Sequence, residues 1–294
     1  MNAPTTPIRT SPTTDLTGTV AVITGAGRGI GRLLAARLAA RGASVGLVAR
    51  SADQLAATRT VIEASGGIVA VARADVTDAH ELATAFAGLR DVLGPTDVLV
   101  NNAGVLGPIG PLWELDVNEW WATMDVNVRG TVLASRLVLP QMIAAGHGRI
   151  INITSEAGVH RWPLVSGYSV SKAAVVKLSE NLARETQRHG VSVFSVHPGL
   201  LPIGMGETMA AHAPDSAHEL AIRDWTMRQL AGGRGADPAK AIELLVRIAA
   251  GDADRLSGRH LSVHDDLDAV LRRVDEVRAG DLYVLRPERL RPTG

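Results

Sequence analysis

The chain has 294 residues, of which 46% are hydrophobic and 20% charged, a composition typical of a globular protein with a sizeable core. Thirty basic and thirty acidic residues give a formal net charge of zero, so no positive surplus is present for a nucleic-acid backbone. The absence of cysteine excludes disulfides and thiolate catalysis. The nine histidines show no metal-ligand spacing, and we expect no metal site.

No apolar run is long enough to span a membrane, so a membrane is not an expected partner. A nucleic acid is not an expected partner either, because the chain has no net positive charge. Residues 1–17 are rich in threonine and proline and lack the apolar core of a signal peptide. We therefore expect a disordered N-terminal tail and a cytoplasmic protein.

From residue 19 onward, short apolar strands alternate with helices. The pattern predicts strands at 20–23, 44–49, 68–74, 97–100, 149–154, 191–196 and 259–263. It predicts helices at 30–41, 52–65, 79–93, 117–145, 167–189, 238–250 and 267–277, the fourth of them long enough to contain one break. This alternation favours an α/β fold, a doubly wound parallel sheet in a three-layer Rossmann-like domain, with ligands at the carboxyl ends of the strands.

The domain organisation predicted from this pattern is one Rossmann-like domain over 18–264. A helical lid is expected at about 200–235, where the strand–helix alternation loosens, and a helical extension at 265–294. In the extension, Leu267, Val270, Leu271 and Val274 recur at helical spacing. That face is expected either to cover the substrate pocket or to pack on a neighbouring subunit.

A glycine-rich segment, Thr24-Gly25-Ala26-Gly27-Arg28-Gly29-Ile30-Gly31, joins the first strand to the first helix. It fits the pattern T-G-x-x-x-G-x-G and does not fit G-x-G-x-x-G. Glycines allow a tight turn and close approach of a pyrophosphate, and the helix N-terminus supplies free N–H groups and positive potential. The segment therefore predicts a nucleotide-binding turn.

A tyrosine and a lysine, Tyr168 and Lys172, lie four residues apart on a predicted helix, so both side chains share one face. A nearby ammonium lowers the pKa of a phenol and makes it usable as a general acid or base. Ser155 precedes them at the end of a strand. Asn127 falls inside the long predicted helix, where asparagine is unfavourable, and this predicts a local irregularity at which its side chain bonds elsewhere.

Together these segments resemble the short-chain dehydrogenase/reductase family over about residues 18–265. The resemblance rests on the glycine motif, Asp75, Asn101-Asn102-Ala103-Gly104, Asn127, Ser155, Tyr168, Lys172 and Pro198-Gly199, in the family's order. It implies a nicotinamide dinucleotide and hydride transfer between a carbonyl and an alcohol. It also implies a catalytic set of Asn127, Ser155, Tyr168 and Lys172, with Tyr168 as general acid/base.

The resemblance further implies a set of cofactor-binding residues: Gly25, Arg28, Gly29, Ile30, Gly31, Arg50, Ser51, Asp75, Val76, Asn102, Ala103, Gly104, Tyr168, Lys172, Pro198, Gly199 and Leu201. Asp75 has a second interpretation, as a cap for the segment near Thr77. The second strand ends without a carboxylate, and Arg28 and Arg50 can reach a 2′-phosphate, so we expect NADP(H) to be favoured over NAD(H).

The family commonly has a threonine in the pattern P-G-x-x-x-T, but Ile203 follows Pro202 here. We expect a hydrophobic ketone or secondary alcohol as substrate, and a homodimer or homotetramer. The expected substrate contacts are Val105, Leu106, Glu156, Trp162, Met205, Met209 and Trp225. The alternatives are a catalytically silent dinucleotide sensor and an epimerase or lyase, although the glycine spacing argues against the latter.

Overall fold

The structure, a computed structural model, describes residues 14–211 and 213–287. Within them the chain forms a seven-stranded parallel sheet in the order β3-β2-β1-β4-β5-β6-β7. The strands are β1 Val20–Thr24, β2 Ser44–Ala49, β3 Val69–Arg73, β4 Val98–Asn101, β5 Gly148–Ile153, β6 Val191–His197 and β7 His260–Ser262. Strands β1 and β4 are buried along their whole length, as expected for central strands covered on both faces.

Helices cover both faces of the sheet. They are α1 Gly29–Ala39, α2 Ala52–Ala64, α3 Ala79–Leu93, α4 Val117–Met124, α5 Gly130–Ala145, α6 Ser166–Thr186, α7 Met205–Ala211, α8 Ala217–Ala231, α9 Pro238–Ala250, α10 Leu267–Arg272 and α11 Val274–Ala279. Several begin at a side chain that accepts a hydrogen bond from the first turn, such as Ser51 before α2 and Asp78 before α3. No helix in the described ranges has the length and apolarity needed to cross a bilayer.

Two apolar layers hold the helices to the sheet. On one face, Leu38 of α1 and Leu245 of α9 pack against Ile23 of β1. On the other face, Phe86 of α3 and Met142 of α5 lie in a second cluster. The doubly wound parallel sheet and the three-layer Rossmann-like fold predicted from the sequence are confirmed.

The order of the strands reverses direction between β1 and β4. The chain builds outward from β1 to β2 and β3, and then crosses back to continue through β4 to β7 on the other side. Helices that leave β1 and β4 consequently diverge and open a crevice at the carboxyl ends of these strands. The glycine-rich segment follows β1 and the Asn102-Ala103-Gly104 segment follows β4, so both lie at this crevice.

The long helix predicted at 117–145 is interrupted. A five-residue π-helical turn, Asp125–Arg129, joins α4 to α5. The irregularity predicted from Asn127 is therefore present, and the asparagine side chain bonds outside the helix.

Near the ends of the described ranges, the packing differs in detail from the predicted boundaries. Residues 1–13 of the expected tail lie outside the described residues, but Leu16 is 3% exposed and donates its N–H to the carbonyl of Arg41 at 2.7 Å. The packed fold thus begins before residue 18, because Leu16 belongs to the core beside α1. The lid segment contains α7 and α8.

The C-terminal extension forms two short helices where one was predicted, with Arg273 between α10 and α11. Their buried side chains Leu267, Val270, Val274 and Val277 join the apolar layer that contains α1 and α9. These side chains are already buried because they pack on their own chain. Their burial therefore requires neither of the two predicted arrangements, a cover over the pocket or a contact with a second subunit. Residues 288–294 lie outside the described ranges.

Candidate active site

A cavity of about 830 Å³ lies at the carboxyl ends of the central strands. Its wall runs from the glycine-rich segment after β1, past the loops after β4 and β5, to the N-terminal part of α6 and the lid. This position is the one at which doubly wound sheets bind ligands.

The glycine-rich turn has no room for side chains at its glycines, as Gly25 and Gly31 illustrate. Gly25 has φ +65°, and a Cβ placed on it would lie 2.8 Å from the Ala103 Cα. A Cβ on Gly31 would lie 2.5 Å from both Asn102 Nδ2 and Gly25 O. The turn therefore brings bare backbone and the start of α1 to the cavity, which is the cradle that a dinucleotide pyrophosphate requires.

Hydrogen bonds fasten this turn to the loop after β4. Asn102 Nδ2 donates to the carbonyl oxygens of Thr24 and Gly25, each at 3.0 Å. The Thr24 hydroxyl in turn accepts from the backbone N–H groups of Asn102 at 3.1 Å and Ala103 at 3.2 Å. The two loops across the crevice are thus held as one rigid floor, which fits a ligand that spans both.

Tyr168 lies in the first turns of α6 and is 8% exposed. Burial raises the pKa of Tyr168, and a hydrogen bond with the Ser155 side chain opposes part of that rise. Lys172 Nζ lies 5.6 Å from the centre of the phenol ring. The expected net lowering of the tyrosine pKa by Lys172 is not seen in the chain alone, because the loss of hydration outweighs the neighbouring groups.

Lys172 is itself 5% exposed, and its Nζ donates to the carbonyl oxygen of Ile153 at 2.9 Å. Burial lowers the pKa of Lys172 to about 8. The amine therefore exchanges protons near neutral pH, and it is fixed between the end of β5 and the cavity. Ser155, two residues after Ile153, caps the short turn Glu156–Gly158 by accepting from the Ala157 N–H at 3.2 Å.

Asn127 is 1% exposed and lies behind the cavity wall. Its Oδ1 accepts from the Val105 N–H and its Nδ2 donates to the Val105 carbonyl, each at 2.9 Å. Nδ2 also donates to the Ser171 hydroxyl at 2.9 Å. The side chain consequently ties the loop after β4 to α6, the helix that carries Tyr168 and Lys172.

Two arginines line the cavity, Arg50 directly after β2 and Arg28 in the glycine-rich turn after β1. Arg50 lies 3.7 Å from Asp75, with its side chain 69% exposed. Arg28 donates from a guanidinium nitrogen to the Thr208 hydroxyl of α7 at 2.5 Å. Asp75 Oδ1 accepts from the Thr77 N–H at 2.9 Å and from its hydroxyl at 2.8 Å, and the residue borders the cavity. The helix that follows is capped by Asp78, so the interpretation of Asp75 as a helix cap is wrong.

The segment after β6 forms the wall opposite the glycine turn. Gly199 has φ +88°, which favours glycine, and the carbonyl of Leu200 accepts from the Ala236 N–H at 2.8 Å. Leu201 is 8% exposed, and Ile203 borders the cavity as an apolar side chain.

The wall around Tyr168 is aromatic and apolar. Trp162 meets Tyr168 edge to face with ring centres 6.1 Å apart, and Trp225 of α8 lies 5.4 Å from Trp162. Leu106, Met205 and Met209 pack in the same cluster. Glu156 is the acidic exception and pairs with His160 at 3.0 Å.

Every predicted site residue borders this cavity except two, Gly31 and Asn127, which support it from behind. Sequence reasoning missed several polar residues of the wall: Gln54, His160, Arg161, His197, Gln229, Arg234 and His264. Only His197 had a usable signal, since it stands immediately before Pro198-Gly199.

Comparison with known proteins agrees with this geometry. The model of the short chain dehydrogenase family matches residues 19–213. The short chain dehydrogenase pigC of Monascus ruber is 32% identical, over 91% of this chain and 86% of its own.

Two solved structures are similar over most of their length. Levodione reductase superimposes with a TM-score of 0.78 at 26% identity, covering 86% of this chain and 99% of that one. A variant of actinorhodin polyketide ketoreductase with NADPH gives a TM-score of 0.75 at 29% identity, covering 83% of this chain and 95% of that one.

A crevice of this form, with a glycine turn on one side and a buried tyrosine and lysine on the other, defines a dinucleotide-dependent oxidoreductase. The chain belongs to the short-chain dehydrogenase family. Members of this family bind a nicotinamide dinucleotide, and the bare glycine turn fits such a group.

Proposed function

We propose that the chain reduces a ketone, or oxidises the corresponding secondary alcohol, with NADP(H) as its cofactor. The observation that carries the proposal is the convergence of Tyr168, Ser155 and Lys172 on the cavity that the glycine turn also lines. The bound dinucleotide supplies or accepts the hydride.

The chain's own residues hold the substrate oxygen and move its proton. Ser155 and Tyr168, which both border the cavity, are the donors that the oxygen meets as charge develops on it. Tyr168 gives its proton to that oxygen during reduction and takes it back during oxidation. Lys172 favours the phenolate electrostatically, and Trp162 and Trp225 keep water away from the reacting atoms.

The preference for NADP(H) is supported by the charges that line the cavity. β2 ends at Ala49 without a carboxylate, and both Arg28 and Arg50 line the cavity. A guanidinium fork suits a 2′-phosphate. Similar structures include a ketoreductase solved with NADPH and a xylitol dehydrogenase solved with NAD⁺, so the proposed preference depends on the arginines.

The residues assigned above as catalytic, cofactor-binding and substrate-contacting belong to this proposal, as does an apolar ketone or alcohol substrate. A homodimer or homotetramer and a cytoplasmic location stay predictions.

The test is Tyr168→Phe, assayed against a panel of ketones and secondary alcohols with NADPH and NADP⁺. We expect turnover to fall by about a hundredfold or more, while NADPH affinity stays within about twofold. Tyr283→Phe is the matched control, because Tyr283 is the other tyrosine of the chain and does not border the cavity. Tight NADPH binding by the wild type without turnover of any panel member would favour the nucleotide sensor instead.

A further inference from the structure

His197 ends β6 at the carboxyl edge of the sheet, is 8% exposed and borders the same cavity as Tyr168. The strand register fixes its face, because Ser195 pairs with Asn152, which donates to Ser179 of α6 at 2.8 Å. Side chains alternate along a strand, so His197 lies on the same α6 face as Ser195, two residues nearer the edge. It therefore occupies the face from which α6 presents Tyr168.

The imidazole of His197 has no hydrogen-bond partner among the described residues. Its Nδ1 is enclosed and unpartnered, so this nitrogen cannot reach a ligand, whereas Nε2 is not enclosed and also has no partner there; the ring centre of His264 is 6.0 Å away. The next histidine on this face differs: Nδ1 of His260 lies 3.3 Å from the Thr154 hydroxyl and 3.2 Å from that of Ser195. Because His197 lines the cavity, its Nε2 is the nitrogen that can hydrogen-bond a ligand oxygen there.

The protonation state of the His197 imidazole limits which chemical groups can be its hydrogen-bond partner. Burial lowers the pKa of His197 to about 3, with smaller effects from His260 and His264. The imidazole is consequently neutral at physiological pH, and one nitrogen donates while the other accepts. A neutral ring of this kind suits an alcohol or carbonyl oxygen and offers no positive charge to a carboxylate or phosphate.

We propose that His197 is a specificity-determining residue, whose ring hydrogen-bonds a second oxygen of the substrate beside the carbonyl that Tyr168 protonates. The proposal rests on the reductase function above and narrows its substrates to hydroxy ketones, diketones and the matching diols. Apolar groups such as Trp162 and Leu106 form the wall around Tyr168, so the rest of such a substrate is apolar.

The test compares two ketones of nearly the same shape, α-hydroxyacetophenone and propiophenone, which differ by a hydroxyl in place of a methyl group. His197→Leu removes both ring nitrogens, and His197→Gln keeps a polar group near the position of Nε2. The kcat/KM of each variant is measured for both ketones with NADPH, and the midpoint of urea unfolding checks folding. If the leucine variant does not fold, His197→Phe replaces it as a ring without nitrogens.

We expect His197→Leu to lower kcat/KM for the hydroxy ketone about tenfold or more and to change that for propiophenone less than about twofold. We expect His197→Gln to recover most of the loss. Equal losses on both ketones, no loss on either, or a glutamine variant that behaves like the leucine one would overturn the proposal. If the wild type reduces no carbonyl compound at all, the reductase function itself is rejected. If the enzyme is active but the His197 variants keep the wild-type preference between the two ketones, only the role of His197 is rejected.

Discussion

Lys172 donates a hydrogen bond of 2.9 Å from Nζ to the carbonyl oxygen of Ile153, the last residue of β5. The bond fixes a buried amine beside the Tyr168 ring, and the chain orders both before any ligand binds. Burial disfavours the charged form of this amine, so the pKa of Lys172 falls to about 8.

The depressed pKa of Lys172 predicts a pH dependence of stability. Between about 8 and its ordinary value of 10.5, the unfolded chain binds a proton at this lysine that the folded chain has released. The free energy of unfolding therefore increases, and the fold becomes more stable, as pH rises through this window. Below the window the lysine is protonated in both states, and the folded chain carries the full cost of burying the charged amine. Urea unfolding between pH 7 and pH 10 should show this rise in the wild type and lose it in Lys172→Met.

Lys177→Met serves as the control for that experiment, since Lys177 lies on the same helix with half of its side chain exposed. Its removal should leave the shape of the pH profile unchanged. Parallel profiles for the wild type and Lys172→Met would contradict the assigned pKa.

Arg50 and Arg28 are predicted to select the phosphorylated dinucleotide. Arg50→Ala should weaken NADPH about tenfold and NADH less than about twofold, because the guanidinium meets a 2′-phosphate that NADH lacks. Arg28→Ala should act in the same direction. Dissociation constants from fluorescence titration of each variant give the comparison.

An exposed arginine outside the cavity, Arg90 of α3, provides the matched control, and Arg90→Ala should leave both affinities unchanged. Equal losses for NADPH and NADH in Arg50→Ala would mean that the side chain contacts a part of the dinucleotide common to both.

Asn127 is predicted to stabilise the fold by bracing the π-helical turn against its neighbours. Asn127→Ala removes the partner of the half-buried N–H and carbonyl of Val105, and the Ser171 hydroxyl keeps only its bond to the Tyr168 carbonyl. We expect the free energy of unfolding to fall by about 2–4 kcal/mol, measured by urea denaturation. Asn118→Ala, on the exposed side of α4, should cost less than about 1 kcal/mol, and a similar small loss for both would refute the bracing role.

Much of the fold was predictable from the sequence because its signals are local. Buried parallel strands are short apolar runs, so β2 was placed with its observed bounds, Ser44–Ala49. The N-cap Ser51 marked the start of α2 at Ala52. Asn127 even indicated the π-helical turn, because an unfavourable helix residue in a long helix needs an outside partner.

What could not be predicted depends on contacts between distant segments. Arg28 was assigned to a phosphate, but its hydrogen bond to Thr208 links the glycine turn to the lid across 180 residues. The raised pKa of Tyr168 depends on how much wall surrounds it, which spacing along one helix does not reveal. The isolation of His197 is likewise a property of packing, since its neighbours on the sheet come from β5 and β7.

The C-terminal segment has a consequence for association. β7 is the last strand of the sheet, and its His260 N–H already donates to the carbonyl of Tyr283 at 2.8 Å. Farther along, Glu180 accepts from the Leu285 N–H and from Arg286, each at 2.6 Å, which clasps the segment to α6. An uncovered border of this kind would invite another polypeptide to add a strand and start fibrous aggregation. The C-terminal segment of the same molecule lies at the edge of β7 instead, and it protects that edge from strand addition by another chain.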